Sequence, residues 1–365
     1  MKISVITLHR VFNYGSVLQA YATQKIFEQT GNDVEIIDYI TEQRTFKKLL
    51  FTIPSSKKSF ISKLIYIILK CFSISIKKVV FGRFIRRNLN LTRKKYISYN
   101  DLKNDIPKAD VYVTGSDQVW NSKYNEGIDR GFFLEFVPNK YRRISYASSF
   151  GKEKLDEIEF EETQKLINKY SAISVREDTG IEILNKLGYL NSTCVLDPTL
   201  QIKKEDWMLL SKKRVVKEKY LLLMLLYNED NGGTEYAKII AKRKGLKIVK
   251  LSWEYKKPVG VDILKTHKSP EEFLSLFQYA DFIVTNSFHG LAFSINFNKQ
   301  FVIIPRNEFN TRIESLLRLT HLEERMLGKN FDQNVVDNKI DYCEVNKILE
   351  KERKCAFEYI KKALL

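Results

Sequence analysis

The 365-residue chain is 44% hydrophobic and 29% charged, which is typical of a folded globular protein and excludes a disordered one. Its formal net charge of +17 is unevenly distributed, because residues 41–95 hold fifteen lysines and arginines against the single carboxylate of Glu42. The remainder is nearly neutral, so a surface that is basic throughout, as nucleic-acid binding favours, is excluded.

The first part of the chain predicts strands and helices in alternation. Residues 2–8 form a β-rich run, a helical pattern extends from Val17 to about Gln29, and residues 34–40 predict the next strand. A right-handed crossover would place both strands in one parallel sheet. After the basic segment the sequence predicts strands within 109–120, 143–149, 172–175 and 194–196, and helices at 153–170 and 178–187.

The same pattern then starts again. Residues 219–227 form an all-apolar run of the kind found in buried parallel strands, and a glycine-containing loop follows at 228–233. The remaining elements are predicted as strands at 246–253, 281–285 and 301–304 and helices at 236–245, 270–279 and 290–296.

Two successive α/β sets predict an α/β protein with two Rossmann-like domains, whose parallel sheets face a cleft. We expect an N-terminal domain at residues 1–205, with a basic helical insertion at about 45–95. A C-terminal domain follows at 206–330, and residues 331–365 predict a helical tail that packs back on the body.

In open parallel sheets, ligands bind beyond the carboxyl ends of the strands, and the unusual residues of this chain lie there. Asn13, Tyr14, Gly15 and Ser16 follow the first strand and open a helix. A small-residue loop at a helix N-terminus presents N–H groups to an anion. A tight strand-to-helix turn is the alternative.

The loop at 114–121 combines a carboxylate, hydroxyl groups and an indole. Asp117, with Ser116 beside it, can take a proton from an incoming hydroxyl group, and Trp120 can stack on a sugar ring. The alternative is that Asp117 caps the next helix.

Two arginines are candidates for binding an anion. Arg176 lies at a strand end, where a guanidinium can grip phosphate or carboxylate in bidentate fashion, although an ion pair with Glu177 or Asp178 is the alternative. Arg312 follows the final strand and offers a further anion contact. His9, at the end of the first strand, is another candidate.

The loop at 285–290 contains His289, one of only four histidines, between a buried strand and a helix start. There an imidazole can donate to a phosphate oxygen or act as a general acid, with helix N–H groups beside it. Asn286, Ser287 and Gly290 complete this polar loop. A purely structural histidine is the alternative.

Nothing in the sequence indicates a metal site. The cysteines are scattered, without a CxxC pair or a neighbouring histidine, which favours a reducing compartment: Cys71, Cys194, Cys343 and Cys355. The motifs HExxH, GKS/T and GxSxG are absent. Because the N-terminus lacks the apolar stretch of a signal peptide, we expect a cytoplasmic protein.

Five motifs occur in order: NYGSVLQAYATQ, VTGSDQVWN, ISVRED, LDPT and TNSFHGLAFSINFNKQF. Together they resemble the bacterial polysaccharide pyruvyltransferase family, and the resemblance covers about residues 3–320. The resemblance implies a glycosyltransferase-B-like (GT-B-like) fold and the use of phosphoenolpyruvate to form ketal-linked pyruvate on surface glycans. It also implies that Arg176 and His289 hold the donor. Some members carry Arg-X-His where this chain has Ser287-Phe288-His289, which leaves Arg312 as a possible replacement.

The chemistry that the resemblance implies needs few groups. His289 would act as the acid, Asp117 as the base, and Arg176 with the loop amides as the anion clamp. Phosphoenolpyruvate would be the co-substrate, with no metal or further cofactor, and the acceptor a glycan or lipid-linked oligosaccharide.

The basic segment has an amphipathic pattern. Its apolar residues form one helical stripe with lysines between them: Ile61, Leu64, Ile65, Ile68, Leu69 and Phe72. The apolar run is too short to span a bilayer, but residues 57–95 can lie on an anionic membrane surface, at the inner face of the membrane. The alternative is an insertion packed on the N-terminal domain with a solvated basic face.

Two other functions stay open at this point. One is a GT-B glycosyltransferase that uses a nucleotide-sugar donor. The other is a non-catalytic α/β protein that binds a membrane or nucleic acid. We expect no nucleic-acid partner, because the sequence has no recognition helix, zinc finger or RNP-like aromatic set.

Overall fold

The computed structural model describes residues 1–52, 59–226, 229–328 and 333–365. Parts of several predictions lie outside these ranges. They are residues 53–58 of the basic insertion, which include residues 57 and 58 of the membrane-binding segment, residue 227 of a strand, residue 228 of a loop, residues 227–228 and 329–330 of the C-terminal domain, and residues 331–332 of the tail. The chain forms two compact units, Met1–Pro198 with Tyr359–Leu365 and Thr199–Glu358.

The first unit contains a five-stranded sheet with the order β3-β2-β1-β4-β5, in which every pair is parallel. Two further parallel strands, β6 and β7, form a small second sheet. The strands are β1 (Lys2–Ile6), β2 (Asp33–Tyr39), β3 (Leu91–Tyr96), β4 (Val111–Thr114), β5 (Arg142–Ser145), β6 (Ile173–Val175) and β7 (Ser192–Cys194).

Some of the predicted boundaries differ from the structure. The strand predicted at 143–149 ends at Ser145, because Ala147 has a left-handed backbone (φ 51°) that a strand does not accommodate. The last strand of the unit covers 192–194 instead of 194–196. The edge strand β3 is not predicted, and it takes up the end of the predicted insertion.

The helices of the first unit connect and flank these strands: α1 (Tyr14–Glu28), α2 (Phe46–Phe51), α3 (Phe60–Asn88), α4 (Tyr99–Asn104), α5 (Ser122–Asn125), α6 (Glu157–Ile167) and α7 (Asp178–Lys186). The predicted basic helix is confirmed as α3. Its second half packs on the unit, since Phe81 and Phe84 are buried and their rings lie 5.3 Å from Tyr14 and 6.2 Å from Tyr21.

The second unit repeats the strand arrangement, with the all-parallel order β10-β9-β8-β11-β12. Its strands are β8 (Tyr220–Met224), β9 (Lys247–Ser252), β10 (Ile263–Thr266), β11 (Phe282–Thr285) and β12 (Gln300–Ile303). Its helices are α8 (Pro198–Gln201), α9 (Lys204–Leu210), α10 (Gly233–Lys244), α11 (Pro270–Gln278), α12 (Phe288–Asn296), α13 (Thr311–Thr320), α14 (Gln333–Asp337) and α15 (Tyr342–Leu364), of which α8 begins and α15 ends in the first unit.

Each unit has its own hydrophobic core around its parallel strands, as parallel sheets flanked by helices require. The prediction of two Rossmann-like domains with parallel sheets is confirmed. Within the described ranges, no helix combines the length and apolar content that crossing a bilayer requires. The predicted site residues lie in the loops after β1, β4, β6 and β11 and in the helix starts that follow them, except Arg312, which lies in α13 after β12.

Candidate functional site

Arg176 lies at the centre of a buried ionic cluster in the first unit. Its Nη1 donates to Oδ2 of Asp197 at 2.6 Å, and its Nη2 donates to Oδ1 of Asp117 at 3.1 Å. Its Nε lies 3.8 Å from Oε2 of Glu177. Burial alone would lower the pKa of the Arg176 guanidinium, but the charges of Asp197, Asp117 and Glu177 outweigh it and raise this pKa.

The prediction that Arg176 grips the donor is therefore corrected. Its side chain is fully buried and is shared among three carboxylates, which leaves no exposed edge for a bidentate contact with an anion. The ion-pair interpretation holds instead, although its shortest contacts are to Asp117 and Asp197 and not to the neighbouring Glu177 or Asp178. Arg176 positions these carboxylates.

Asp117 is held by several contacts at once. Oδ2 accepts a hydrogen bond from Oγ of Ser16 at 2.6 Å, and Oδ1 accepts one from the backbone N–H of Gln118 at 2.9 Å. Its backbone is in the left-handed region, with φ 77°. The helix-cap interpretation of Asp117 is wrong, because the N-cap of α5 is Asn121, whose side chain accepts from the N–H of Tyr124.

The loop at 13–16 forms a capped helix start. The side chain of Asn13 accepts a hydrogen bond from the N–H of Gly15 at 2.9 Å, so this N–H is not directed at a ligand. Tyr14 is buried with its ring against Phe81. The tight-turn interpretation therefore describes these three residues, whereas Ser16 reaches the ionic cluster through Asp117.

Ser116 and Trp120 lie in the same loop but in different surroundings. Ser116 donates from Oγ to Oδ2 of Asp197 at 3.1 Å and so belongs to the cluster. Trp120 is buried, with its ring stacked on Phe133 at 5.5 Å and next to Phe150 at 5.1 Å. The prediction that Trp120 stacks on a sugar is wrong, because aromatic core residues cover its ring.

The loop between β11 and α12 in the second unit is tied to its surroundings by side chains. Asn286 accepts from the N–H of Leu226 at 2.7 Å and donates to the carbonyl oxygen of Glu229 at 3.1 Å. Ser287 is the N-cap of α12 and accepts from the N–H of Gly290 at 3.2 Å. These contacts fix the loop that carries the histidine.

His289 lies in the first turn of α12 and is nearly buried. Its ring centroid is 5.2 Å from that of Phe288. The guanidinium of Arg312 lies 5.5 Å from the centroid of the same phenyl ring, a cation–π distance. The ring of Phe288 thus lies next to both the predicted acid, His289, and the predicted anion-binding Arg312.

Sequence reasoning names His9 as a candidate but misses Asp197 and the partners of both residues. In the sequence, Asp197 stands out only as part of the LDPT motif. Its partners in the structure, Arg176 and Ser116, lie 21 and 81 residues away along the chain. His9 is fully buried, with Nδ1 3.1 Å from the carbonyl oxygen of Thr7 and Nε2 3.2 Å from Oδ1 of Asp38. Each of the two lies three residues beyond the end of a strand, β1 for His9 and β7 for Asp197, and this position is the signal that they share.

Asp38 also pairs with Arg10, which donates from Nε at 2.7 Å and from Nη2 at 2.6 Å. Burial alone would raise the pKa of Asp38, but the hydrogen bonds and charges of His9 and Arg10 hold it well below its usual range. Among the described residues, no group of three or more histidine, cysteine or acidic side chains is arranged to hold a metal ion.

Comparison with solved structures supports the fold. The UDP-GlcNAc 2-epimerase of Methanocaldococcus jannaschii, in complex with UDP-GlcNAc and UDP, is similar with a TM-score of 0.50 and 14% identity over 97% of this chain and 94% of that chain. The UDP-GlcNAc 2-epimerase of Neisseria meningitidis has a TM-score of 0.49 and 8% identity, over 100% of this chain and 99% of that chain. CalG4, the calicheamicin glycosyltransferase, has a TM-score of 0.47 and 12% identity, over 99% of this chain and 96% of that chain. The similarity to the Methanocaldococcus jannaschii enzyme confirms the predicted GT-B-like fold.

No match was found among the curated proteins. A family model, by contrast, matches residues 13–308, a range that includes the loops at 13–16, 114–121 and 285–290. This family is described as polysaccharide pyruvyl transferase. Because the match covers most of the chain, the chain belongs to the polysaccharide pyruvyl transferase family and is an enzyme of the transferase class.

Proposed function

We propose that the chain transfers the pyruvyl group of phosphoenolpyruvate to two hydroxyl groups of a sugar in a lipid-linked precursor of a surface polysaccharide. Protonation of the donor's methylene carbon makes C2 electrophilic, and the first hydroxyl adds there. Phosphate then leaves, and the second hydroxyl closes the ketal. Of the two hydroxyl protons, one ends in the new methyl group and the other on phosphate, so the reaction balances without a redox partner.

The family match over residues 13–308 carries this proposal, and the loop after β11 supports it. His289 lies at the helix end that has positive partial charge, and it shares the ring of Phe288 with Arg312. An imidazole and a guanidinium on one ring suit a donor that carries both phosphate and carboxylate. We therefore assign His289 as the general acid and Arg312, in place of Arg176, as the donor-binding arginine.

Asp117 is the proposed base for the incoming hydroxyl. The positive charge of Arg176 at 3.1 Å favours the ionised carboxylate, which is the form that accepts a proton. Ser16 and the backbone of Gln118 orient the carboxylate further. The role of Arg176 in this proposal is to keep Asp117 charged and in place.

The test is incubation with phosphoenolpyruvate and lipid-linked oligosaccharides, with phosphate release and a pyruvyl-sized mass gain as readouts. His289→Ala should lower transfer at least about 100-fold, since general acids typically contribute 10²–10⁴-fold. His321→Asn is the matched control, because it changes an exposed histidine in the same unit. Turnover above about a tenth of wild type in His289→Ala would remove His289 from the mechanism.

The alternative function is that of a glycosyltransferase with a nucleotide-sugar donor, and the same protein sample can be used to test it. Calorimetry should show binding of phosphoenolpyruvate and no binding of UDP-GlcNAc, the ligand named for the similar epimerase structure. The reverse result would overturn the proposed donor. The non-catalytic alternative does not agree with membership of a transferase family.

We also propose that α3 binds an anionic membrane at its cytoplasmic face, where a lipid-linked acceptor would lie. The six apolar residues of the stripe between Ile61 and Phe72 are 48–68% exposed, although α3 is anchored by Phe81 and Phe84 in its second half. The first half of the helix thus presents an apolar stripe to solvent. Large exposed apolar patches of this kind mark interaction sites.

The charge of α3 favours a lipid surface over a neutral partner. With 3.6 residues per turn, Arg83, Arg86 and Arg87 lie on the same side of the helix as the stripe, and all three are exposed. A helix lying in the plane of an anionic membrane would bury the stripe among the acyl chains and bring these arginines to the head groups. Each arginine near such a surface contributes about 1 kcal/mol.

Flotation of the full chain with vesicles tests this surface. Wild type should float with phosphatidylglycerol-containing vesicles and less with pure phosphatidylcholine. The double variant Ile68→Asp/Phe72→Asp should stay in the dense fraction, whereas Leu190→Asp, at an even more exposed apolar position, should float as wild type does. Equal recovery of both variants with anionic vesicles would end this proposal.

A further inference from the structure

The first unit contains a pocket of about 240 Å³ that lies apart from the ionic cluster of Arg176. Its walls come from the segments that follow β2 and β3 and from residues 125–130 after α5. It therefore opens at the carboxyl edge of the parallel sheet, where ligands of such folds bind. Its volume is below the roughly 300–1,000 Å³ of sites for drug-sized ligands, so it suits a single small ring.

An oriented carboxylate forms one side of this pocket. The hydroxyl of Tyr39 lies 3.0 Å from both oxygens of Asp129, and the N–H of Gly131 donates to Oδ1 at 2.9 Å. Tyr39 itself is buried in the core, so it holds the carboxylate in a fixed place. Burial raises the pKa of Asp129 despite these hydrogen bonds.

A fixed aromatic ring forms another side. Tyr99 begins α4, directly after the N-cap Ser98, and donates from its hydroxyl to Oε2 of Glu135 at 3.0 Å. Burial and the carboxylate of Glu135 raise the pKa of Tyr99 to about 12. The phenol is therefore tethered at its tip while the half-buried ring lines the pocket.

The balance of charge around the pocket disfavours an anion. Glu42, Glu126 and Asp129 line it, and the one arginine among the lining residues, Arg130, is paired at 2.9 Å with Glu162. Arg44, which donates to the lining residue Asn125 at 3.2 Å, is a second nearby cation, so three carboxylates outnumber two guanidinium groups and the pocket does not suit the donor's phosphate and carboxylate. Carboxylate oxygens beside an aromatic ring suit a ligand with hydroxyl or ammonium groups and an apolar face.

One wall of the pocket connects it to the candidate base. The amide of Asn125 donates to the carbonyl oxygens of Gln118 at 3.3 Å and Val119 at 2.9 Å. Gln118 follows Asp117 directly in the chain, and its N–H holds the Asp117 carboxylate. The pocket wall and the loop of the base are thus joined by hydrogen bonds within one unit.

We propose that this pocket is a subsite for one neutral or amino-substituted pyranose ring of the acceptor glycan, an assignment that rests on the proposed function. The ring of Tyr99 packs against the apolar face of the sugar, and Asp129 accepts hydrogen bonds from its hydroxyl or ammonium group. The subsite selects the acceptor by charge, since a uronic acid places a carboxylate against those of Glu42, Glu126 and Asp129.

Saturation-transfer NMR with the methyl glycosides of galactose, glucosamine and glucuronic acid tests the subsite. Wild type should bind the first two and bind the glucuronide at least about tenfold more weakly, which corresponds to 1.4 kcal/mol. Asp129→Asn and Tyr99→Leu should each weaken binding of the preferred glycoside about tenfold or more. Tyr255→Leu, at an exposed tyrosine of the other unit, should bind as wild type does.

Phosphoenolpyruvate binding, measured by calorimetry on the same variants, separates the two proposals. Unchanged donor binding in variants that have lost the sugar supports the subsite. If the glycosides bind to Asp129→Asn and Tyr99→Leu as well as to wild type, the subsite is wrong whatever the donor does. Should either variant fail to fold, Gln43→Ala, at a half-exposed lining residue, must still weaken sugar binding measurably. Sugar binding without any donor binding would instead contradict the proposed donor and leave the subsite standing.

Discussion

Replacement of Arg176 by methionine should destabilise the protein far more than the same change at an exposed ion pair. The side chain of Arg176 has no exposed surface, and it holds Asp197 at 2.6 Å and Asp117 at 3.1 Å. Breaking a buried pair by removing one partner typically costs about 3–5 kcal/mol, because the other charge stays buried without compensation. In Arg176→Met at least two carboxylates lose their cation, so we expect a loss of unfolding free energy at the upper end of that range.

A loss of this size is a large share of the 5–15 kcal/mol by which domains are typically stable. Urea unfolding followed by circular dichroism measures it, with Arg130→Met as the matched control. The side chain of Arg130 is 52% exposed and pairs with Glu162 at 2.9 Å, and exposed pairs contribute about 0–1 kcal/mol. Adding Asp197→Asn to Arg176→Met should recover part of the loss. A loss below about 1 kcal/mol, or one equal to that of the control, would refute the reasoning.

Two further predictions follow from close contacts elsewhere. A methyl group at Gly290 would lie 2.5 Å from Oγ1 of Thr285, so Gly290→Ala should destabilise by about 1–3 kcal/mol in urea unfolding, whereas Gly82→Ala, which meets only the tip of an arginine, should not destabilise. The pKa of Asp38 is lower in the folded protein than in the unfolded chain, where it is about 3.9. The ionised carboxylate therefore stabilises the fold above that pH, and this contribution to the free energy of unfolding is lost as the pH falls below it. Asp38→Asn should therefore show a shallower fall in unfolding free energy between pH 4 and pH 2 than wild type, and identical slopes would contradict this.

The sheets were predictable to the extent that their strands are apolar. The central strands β8 and β11 are continuous buried runs and were found at their correct places. The two missed strands, β3 and β10, occupy the same outer position in the two sheets. These two strands bury only part of their surface, since β3 has three exposed residues in succession and β10 is half-buried throughout, so their sequences lack the apolar signal of the central strands.

Sequence reasoning found the strand ends but not the pairings of the residues that follow them. The carboxyl ends of parallel strands meet at one edge of a sheet, and the loops after β4, β6 and β11 do follow strands as predicted. The partners of Arg176 lie 59 and 21 residues away, whereas sequence reasoning could consider only its neighbours. Trp120 was misplaced for the same reason, because Phe133 and Phe150, which cover its ring, come from other segments.

The backbone of Asp117 indicates what the cluster is built to hold. A non-glycine residue in the left-handed region costs about 1–3 kcal/mol and persists where its surroundings fix it. Glycine would adopt this conformation without that cost, so the position retains a carboxylate at the expense of stability. The contacts from Ser16, Gln118 and Arg176 all converge on that carboxylate. Under the proposed mechanism, the buried guanidinium serves the reaction through Asp117, and its loss should lower the rate of transfer even in molecules that remain folded.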